Sequence, residues 1–208
     1  DVLRQGLRLS MFITLPASVG LIIVRVPLTR AIYERGRFET DDALRVATIL
    51  IGYASVVWAY SMTHVLTRAC YAMRDARTPL LISTGMVVIN VLLNVALIWP
   101  MGVAGLAWSS AVAAVGQCVC LLIAVRHYTG PLLDRTIWIS WGRTAALCVV
   151  MGAVVVALSV VRDSAGGGAG GATLHLVVLV IAGAIAFGLG AIVTRAPELR
   201  WLLKRRIE

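Results

Sequence analysis

The sequence predicts an all-α membrane protein with six transmembrane helices. Three observations carry that prediction. Of the residues, 60% are hydrophobic and only 14% are charged, whereas a soluble domain is nearer half apolar with about a quarter charged. Mean hydropathy is +0.90, more apolar surface than one soluble globule of 208 residues can hide. The apolar residues fall into six runs, each close to the roughly 20 residues a helix needs to cross hydrocarbon. The runs lack the alternation of a lipid-facing barrel wall, which argues against strands.

The six spans read in order as Leu9–Val26, Val46–Val65, Leu80–Trp99, Val103–Val125, Trp138–Val161 and Ala172–Val193. The first holds Thr14, Pro16 and Ser18; the fifth has Arg143 near its start. Between spans one and two lies a long polar loop, Pro27–Asp42, PLTRAIYERGRFETDD. Leu28–Tyr33 reads as a short interfacial helix ended by Gly36, with Thr40–Asp42 capping the next span. A second polar loop covers Thr67–Pro79, and Trp99–Gly102 is a tight turn. A third polar loop runs from Arg126 to Ile137. GGGAGG, within Asp163–Thr173, is a flexible connector with no packing content. The tail from Arg195 ends in LKRRIE. The chain starts at Asp1, with neither Met nor a signal peptide's opening, and reads as a piece of a longer protein.

Lys and Arg outnumber Asp and Glu by 19 to 10. These cations sit between apolar runs, so they speak of topology and anionic lipid head groups rather than nucleic acid. Thirteen fall on the side that holds both chain ends. Six fall on the other: Arg25, Arg30, Arg35, Arg37, Arg45 and Arg162. The richer side is expected to be cytoplasmic, and the acids, five and five, do not drive the bias. Trp99, Trp138, Trp141 and Trp201 fall at span ends, where amphipathic rings prefer to sit. Trp58 and Trp108 lie inside spans and are expected to pack between helices.

Cys70, Cys118, Cys120 and Cys148 form no CxxC and have no His at zinc spacing. They read as small buried hydrophobes. GxSxG and HExxH are absent, and His64, His127 and His175 have no acid within a helical turn. An enzyme is the least supported class. The polar residues inside the bilayer say more. Asn90 and Asn94, four apart, share a face of the third span. Ser109 and Ser110 come early in the fourth, after the tight turn, so Asn90, Asn94 and Ser110 are expected to face one another. Polar groups at that depth need partners. They form either interhelical glue or an oxygen-lined cation site. Small residues from Gly102 to Gly116 and at Gly183, Gly188 and Gly190 suit close helix packing. Arg25 and Arg143 are placed to snorkel.

Two loops carry a family resemblance. PLTRAIYERGRFETDD fits the pattern P-L-x-x-x-x-[FY]-x-x-G-x-F-x-x-x-D, and YAMRDARTP fits [FY]-[AS]-x-[KRQ]-D-x-[KR]-T-P. Both patterns, in this order and at this separation, resemble the lipid II flippase family (MurJ, also called MviN) of the multidrug/oligosaccharidyl-lipid/polysaccharide exporters. The hairpin INVLLNVALIWPMGVAGLAWS fits as well. The resemblance covers about residues 3–126; the last two spans match in position and hydrophobicity only.

The resemblance implies the C-terminal portion of a fourteen-helix, two-lobe exporter. Residues 1–137 would be four helices of the second lobe. Residues 138–208 would be the terminal pair and a basic cytoplasmic tail. It implies flipping of lipid II across the bacterial cytoplasmic membrane by alternating access, for cell-wall synthesis, with both ends cytoplasmic. The main cavity residues are expected upstream of this chain. The groove for the lipid tail is expected on helices 138–161 and 172–193. A sodium site, in this family, uses the places of Asn90, Asn94 and Ser110 with an acid from another helix. Asp is expected at 94, where this chain has Asn. Besides sodium, no cofactor is implied. Two other readings stay open: a related exporter of another polyprenyl-linked saccharide or drug, and a non-transporting membrane scaffold.

Overall fold

The structure, a computed structural model, describes residues 2–33, 40–130, 132, 134–164 and 172–204. Eight helices run through them: α1 (Val2–Tyr33), α2 (Thr40–Ala54), α3 (Val57–Ala72), α4 (Arg77–Met101), α5 (Val103–Thr129), α6 (Arg135–Ser164), α7 (Ala172–Val193) and α8 (Pro197–Lys204). Among the described residues there is no strand. Six segments are long and apolar enough to cross a membrane, with α2 and α3 together making one of them.

The helices overrun the expected spans, because a helix does not stop where hydrocarbon does. α1 passes through Pro27 to Tyr33, so Leu28–Tyr33 is its last two turns and not a separate helix. Pro removes one backbone bond, a loss that membrane helices tolerate, and nothing from 28 to 33 breaks the helix. Arg25 Nη1 donates to the Ile22 carbonyl at 2.6 Å, and Thr29 Oγ1 to that of Arg25 at 2.9 Å. Gly36 and GGGAGG lie outside the described residues. Asp41 and Asp42 stand in the first turn of α2, where the helix dipole favours negative charge.

The second span is broken at Ser55 and Val56, which the sequence reading did not anticipate. The carbonyls freed there find side-chain donors. Ser18 of α1 donates to the Ala54 carbonyl, and Trp58 Nε1 to that of Ser55 at 2.9 Å. Trp58 thus serves the break, whereas Trp108 stays 40% exposed instead of packing between helices.

The expected loop Thr67–Pro79 shrinks to four residues, and its motif explains why. Cys70 O accepts from Asp75 N at 3.0 Å and Tyr71 O from Arg74 N at 3.0 Å, closing α3 with Arg74 at φ 61°. Asp75 Oδ1 then accepts from the N–H groups of Arg77 (3.1 Å) and Thr78 (3.0 Å), opening α4. Its Oδ2 accepts from the Tyr128 hydroxyl of α5 at 3.0 Å. The Thr78 hydrogen bonds chiefly, helped by Tyr128, hold the Asp75 carboxyl below its ordinary range. RDARTP is therefore a helix stop and a helix start in one stretch. Likewise, α5 and α6 reduce the expected loop 126–137 to residues 130–134. The tail beyond Arg195 holds α8, which was not expected.

The main core joins α1, α3 and α5 through Leu7, Met62, Leu66, Cys70, Leu121 and Val125. On the other flank of α1 lie α6 and α7, packed through Phe12, Leu147 and Ala191 and through Val24, Val155 and Leu179. α4 packs mainly on α5, and Pro79 is its one buried residue.

Candidate functional site

Three features carry possible chemistry. The first is the α4–α5 hairpin, folded back at Gly102 (φ 57°). Its polar residues pair across the two helices. Asn94 Nδ2 donates to Asn90 Oδ1 at 3.0 Å, and Asn90 Nδ2 to Ser110 Oγ at 3.5 Å. Ser109 Oγ, fully buried, donates to Asn94 Oδ1. Farther from the turn, Gln117 Nε2 donates to Ser83 Oγ at 3.0 Å. Asn90, Asn94 and Ser110 therefore come together as expected, with Ser109 as the buried hydroxyl of the set.

Both amide oxygens already accept from a neighbour, and the Ser109 and Ser110 hydroxyls also donate to the Leu106 carbonyl at 2.9 Å. No group of three or more His, Cys, Asp and Glu capable of holding a metal occurs among the described residues. A hard cation prefers several oxygens including carboxylate. Asn90, Asn94 and Ser110 alone do not supply that set. Asn94→Leu is expected to loosen the hairpin by about 1–2 kcal/mol, the scale of interhelical hydrogen bonds in lipid. Thermal unfolding in detergent, with and without sodium, measures this. A sodium-induced rise in melting temperature that Asn94→Leu abolishes would instead assign an ion to the cluster.

The second feature is an apolar groove of about 610 Å³ between α1, α6 and α7. α1 supplies Phe12, Pro16, Gly20 and Val24, α6 supplies Met151 and Val155, and α7 supplies Leu179, Gly183 and Phe187. A Cβ on Gly20 would meet nothing within 4 Å, so the groove is open there. A cavity with apolar walls suits a hydrocarbon chain. The lipid-tail groove is expected on 138–161 and 172–193; this apolar groove has walls from both α6 and α7, and from α1 as well.

The third feature escaped the sequence reading. Glu198 of α8 is completely buried. Its Oε1 accepts from Arg8 Nε (3.0 Å), Arg8 Nη2 (2.6 Å) and Ser140 Oγ (2.6 Å), and its Oε2 accepts from Arg143 Nη2 at 2.5 Å. Burial pushes the carboxyl up, but the Ser140 hydrogen bond, its own backbone N–H and Arg8 outweigh that and hold it below its ordinary range. Arg8 also stacks over Trp201 at 5.0 Å. Arg143 thus ties α6 to α8 rather than only snorkelling. Its one sequence signal was an arginine inside an apolar run; Glu198, in a polar tail, gave none.

A family model described as Lipid II flippase MurJ matches residues 1–169. Among curated relatives, the lipid II flippase MurJ of Thermosipho africanus is 30% identical over 132 residues, 64% of this chain and 27% of that protein. The probable lipid II flippase MurJ of Thermotoga maritima is 27% identical over 203 residues, 98% of this chain and 40% of that protein. A solved structure described as lipid II flippase MurJ, inward closed conformation, superposes with a TM-score of 0.76 at 22% identity. That match covers 93% of this chain and 38% of the solved one, and it shows a shared fold. The chain spans less than half the length of these curated relatives. With most of its length matched by the family model, on six apolar spans, the chain belongs to the lipid II flippase MurJ family and is a multi-pass membrane protein.

Proposed function

We propose that this chain serves the movement of lipid II, the lipid-linked peptidoglycan precursor, between the leaflets of the bacterial cytoplasmic membrane. Family membership supports the cargo, and the groove between α1, α6 and α7 is the observation that carries it. A polyprenyl chain needs a long apolar bed beside the path of a polar head group. Residues 138–208 would act as the terminal pair, leaning on the lobe formed by residues 1–137. The transport is non-covalent and proceeds by alternating access of two lobes, with the bed holding the tail while the head group crosses. Both chain ends lie in the cytoplasm on this reading, supported by thirteen Lys and Arg on that side against six.

The test is complementation of a strain depleted of its lipid II flippase by the full-length gene, beside leaflet exchange in liposomes. Rescue and exchange are expected. Gly20→Leu, whose Cβ would meet nothing within 4 Å, puts a bulky side chain into the groove and should slow exchange about tenfold while leaving the melting temperature unchanged, as loss of a tail-binding contact predicts. Failure to rescue, with transport of another polyprenyl-linked saccharide, would reassign the cargo.

A further inference from the structure

A second cavity, of about 320 Å³, lies between α1 and the first turns of α6. Its lining is cationic: Arg8, Arg135 and Arg143, with Thr136, Ile139 and Ser140. Glu198 cancels one of the three charges, which leaves a local excess of two. Asp134, next in sequence, is paired with Arg4 at 2.6 Å. Arg135 has no hydrogen-bond or ion-pair partner among the described residues. Arg143, with its side chain 25% exposed, binds Glu198 through Nη2 alone. Arg8 keeps Nη1 for a ligand, because only its Nε and Nη2 bind Glu198. The pocket also stands at the start of α6, where backbone dipoles favour anions.

The apolar groove continues along the same seam. Phe12, at its edge, is one turn beyond Arg8, about 6 Å along α1. Met151 is about 12 Å beyond Arg143 along α6. A charged pocket and a greasy groove in line are the two halves of a site for an amphiphile with a charged head and a long chain.

We propose that the Arg8–Arg135–Arg143 pocket docks the diphosphate of a polyprenyl lipid whose chain lies in the α1/α6/α7 groove. The excess of two positive charges suits a diphosphate, which carries two or more negative charges, better than the single charge of a phospholipid head. Guanidinium forks suit phosphate oxygens. The inference rests on the transport reading above and adds a loading station on the face of α1 and α6.

The test uses the full-length protein in nanodiscs and three probes: a polyprenyl diphosphate, the uncharged polyprenol of equal length, and phosphatidylglycerol. Arg135 is the residue to change, because it is exposed and its loss strands no buried partner. Arg135→Gln should weaken diphosphate binding about tenfold, the worth of one charge-assisted contact. Arg135→Glu should weaken it further, Arg135→Lys should restore most of it, and polyprenol binding should not change. Wild-type diphosphate affinity in Arg135→Glu overturns the docking site. So does phosphatidylglycerol that binds as tightly and loses as much, since the pocket would then serve bulk phospholipid. If the gene rescues a flippase-depleted strain, such a result sinks the docking site alone. If rescue fails and the wild type binds no polyprenyl diphosphate, the transport reading falls first.

Discussion

Glu198→Ala is expected to destabilise the protein by about 3–5 kcal/mol, the usual cost of breaking a buried ion pair from one side. The carboxylate is wholly buried, while Arg8 and Arg143 are only 15% and 25% exposed, so its removal strands two guanidinium groups facing each other. Ser140 loses its acceptor as well. The damage should concentrate at α8, which is only eight residues long, too short to hold its shape in water without tertiary contacts. Limited proteolysis should therefore cut near α8 before the rest of the chain melts. Glu198→Gln keeps the shape and removes the charge, so it should recover some of the packing but not the stability. A melting curve unchanged in Glu198→Ala would sink the idea that this cluster clamps α1, α6 and α8. The pH dependence follows from the depressed carboxyl. A carboxyl lower in the folded than in the unfolded state stabilises above its unfolded value, about 4.3 for Glu. That contribution is whole at neutral pH and fades only as the pH falls through and below that value.

The helices were legible because lipid removes alternatives: a run of about 20 apolar residues in a bilayer has to satisfy its backbone internally. Asn90, Asn94 and Ser110 were legible for a related reason. Four-residue spacing sets a shared face, a tight turn sets antiparallel register, and polar groups in hydrocarbon must find each other. The break at Ser55–Val56 was hidden because Gly52, one turn before it, is a weak signal in a span that tolerates glycine; its support comes from Ser18, 36 residues away. Glu198 was hidden for the same reason at longer range, since its partners Arg8 and Ser140 lie 190 and 58 residues off. Local pattern carries no trace of such pairings. The motif RDARTP sits between these cases. It was recognisable as a resemblance, while its mechanics, a left-handed Arg74 and a capping Asp75, came from the backbone.

Gly105→Ala is expected to pry the α4–α5 hairpin apart. A Cβ at Gly105 would lie 2.4 Å from the Leu97 carbonyl oxygen and 2.8 Å from its carbon. Both are backbone atoms, so no rotamer relieves the clash and the helices must separate. Overpacking of this kind costs about 1–3 kcal/mol. Here the movement also pulls Ser109, one turn on, away from Asn94, and adds the loss of that buried hydrogen bond. Three other glycines grade the claim. At Gly52 the new Cβ meets Ala107 Cβ at 2.7 Å and its backbone carbon at 3.1 Å, so Gly52→Ala should harm the α2–α5 contact nearly as much. At Gly116 it meets only the end of Met86 at 3.2 Å, a flexible side chain that can swing aside. At Gly85 it meets nothing within 4 Å, and Ala there should be neutral or stabilising by up to about 1 kcal/mol through helix propensity. Melting temperatures in detergent should thus fall most for positions 105 and 52, little for 116, and not at all for 85. Equal effects at 105 and 85 would mean that close approach at Leu97 does not hold the hairpin, and that its polar bonds act without it.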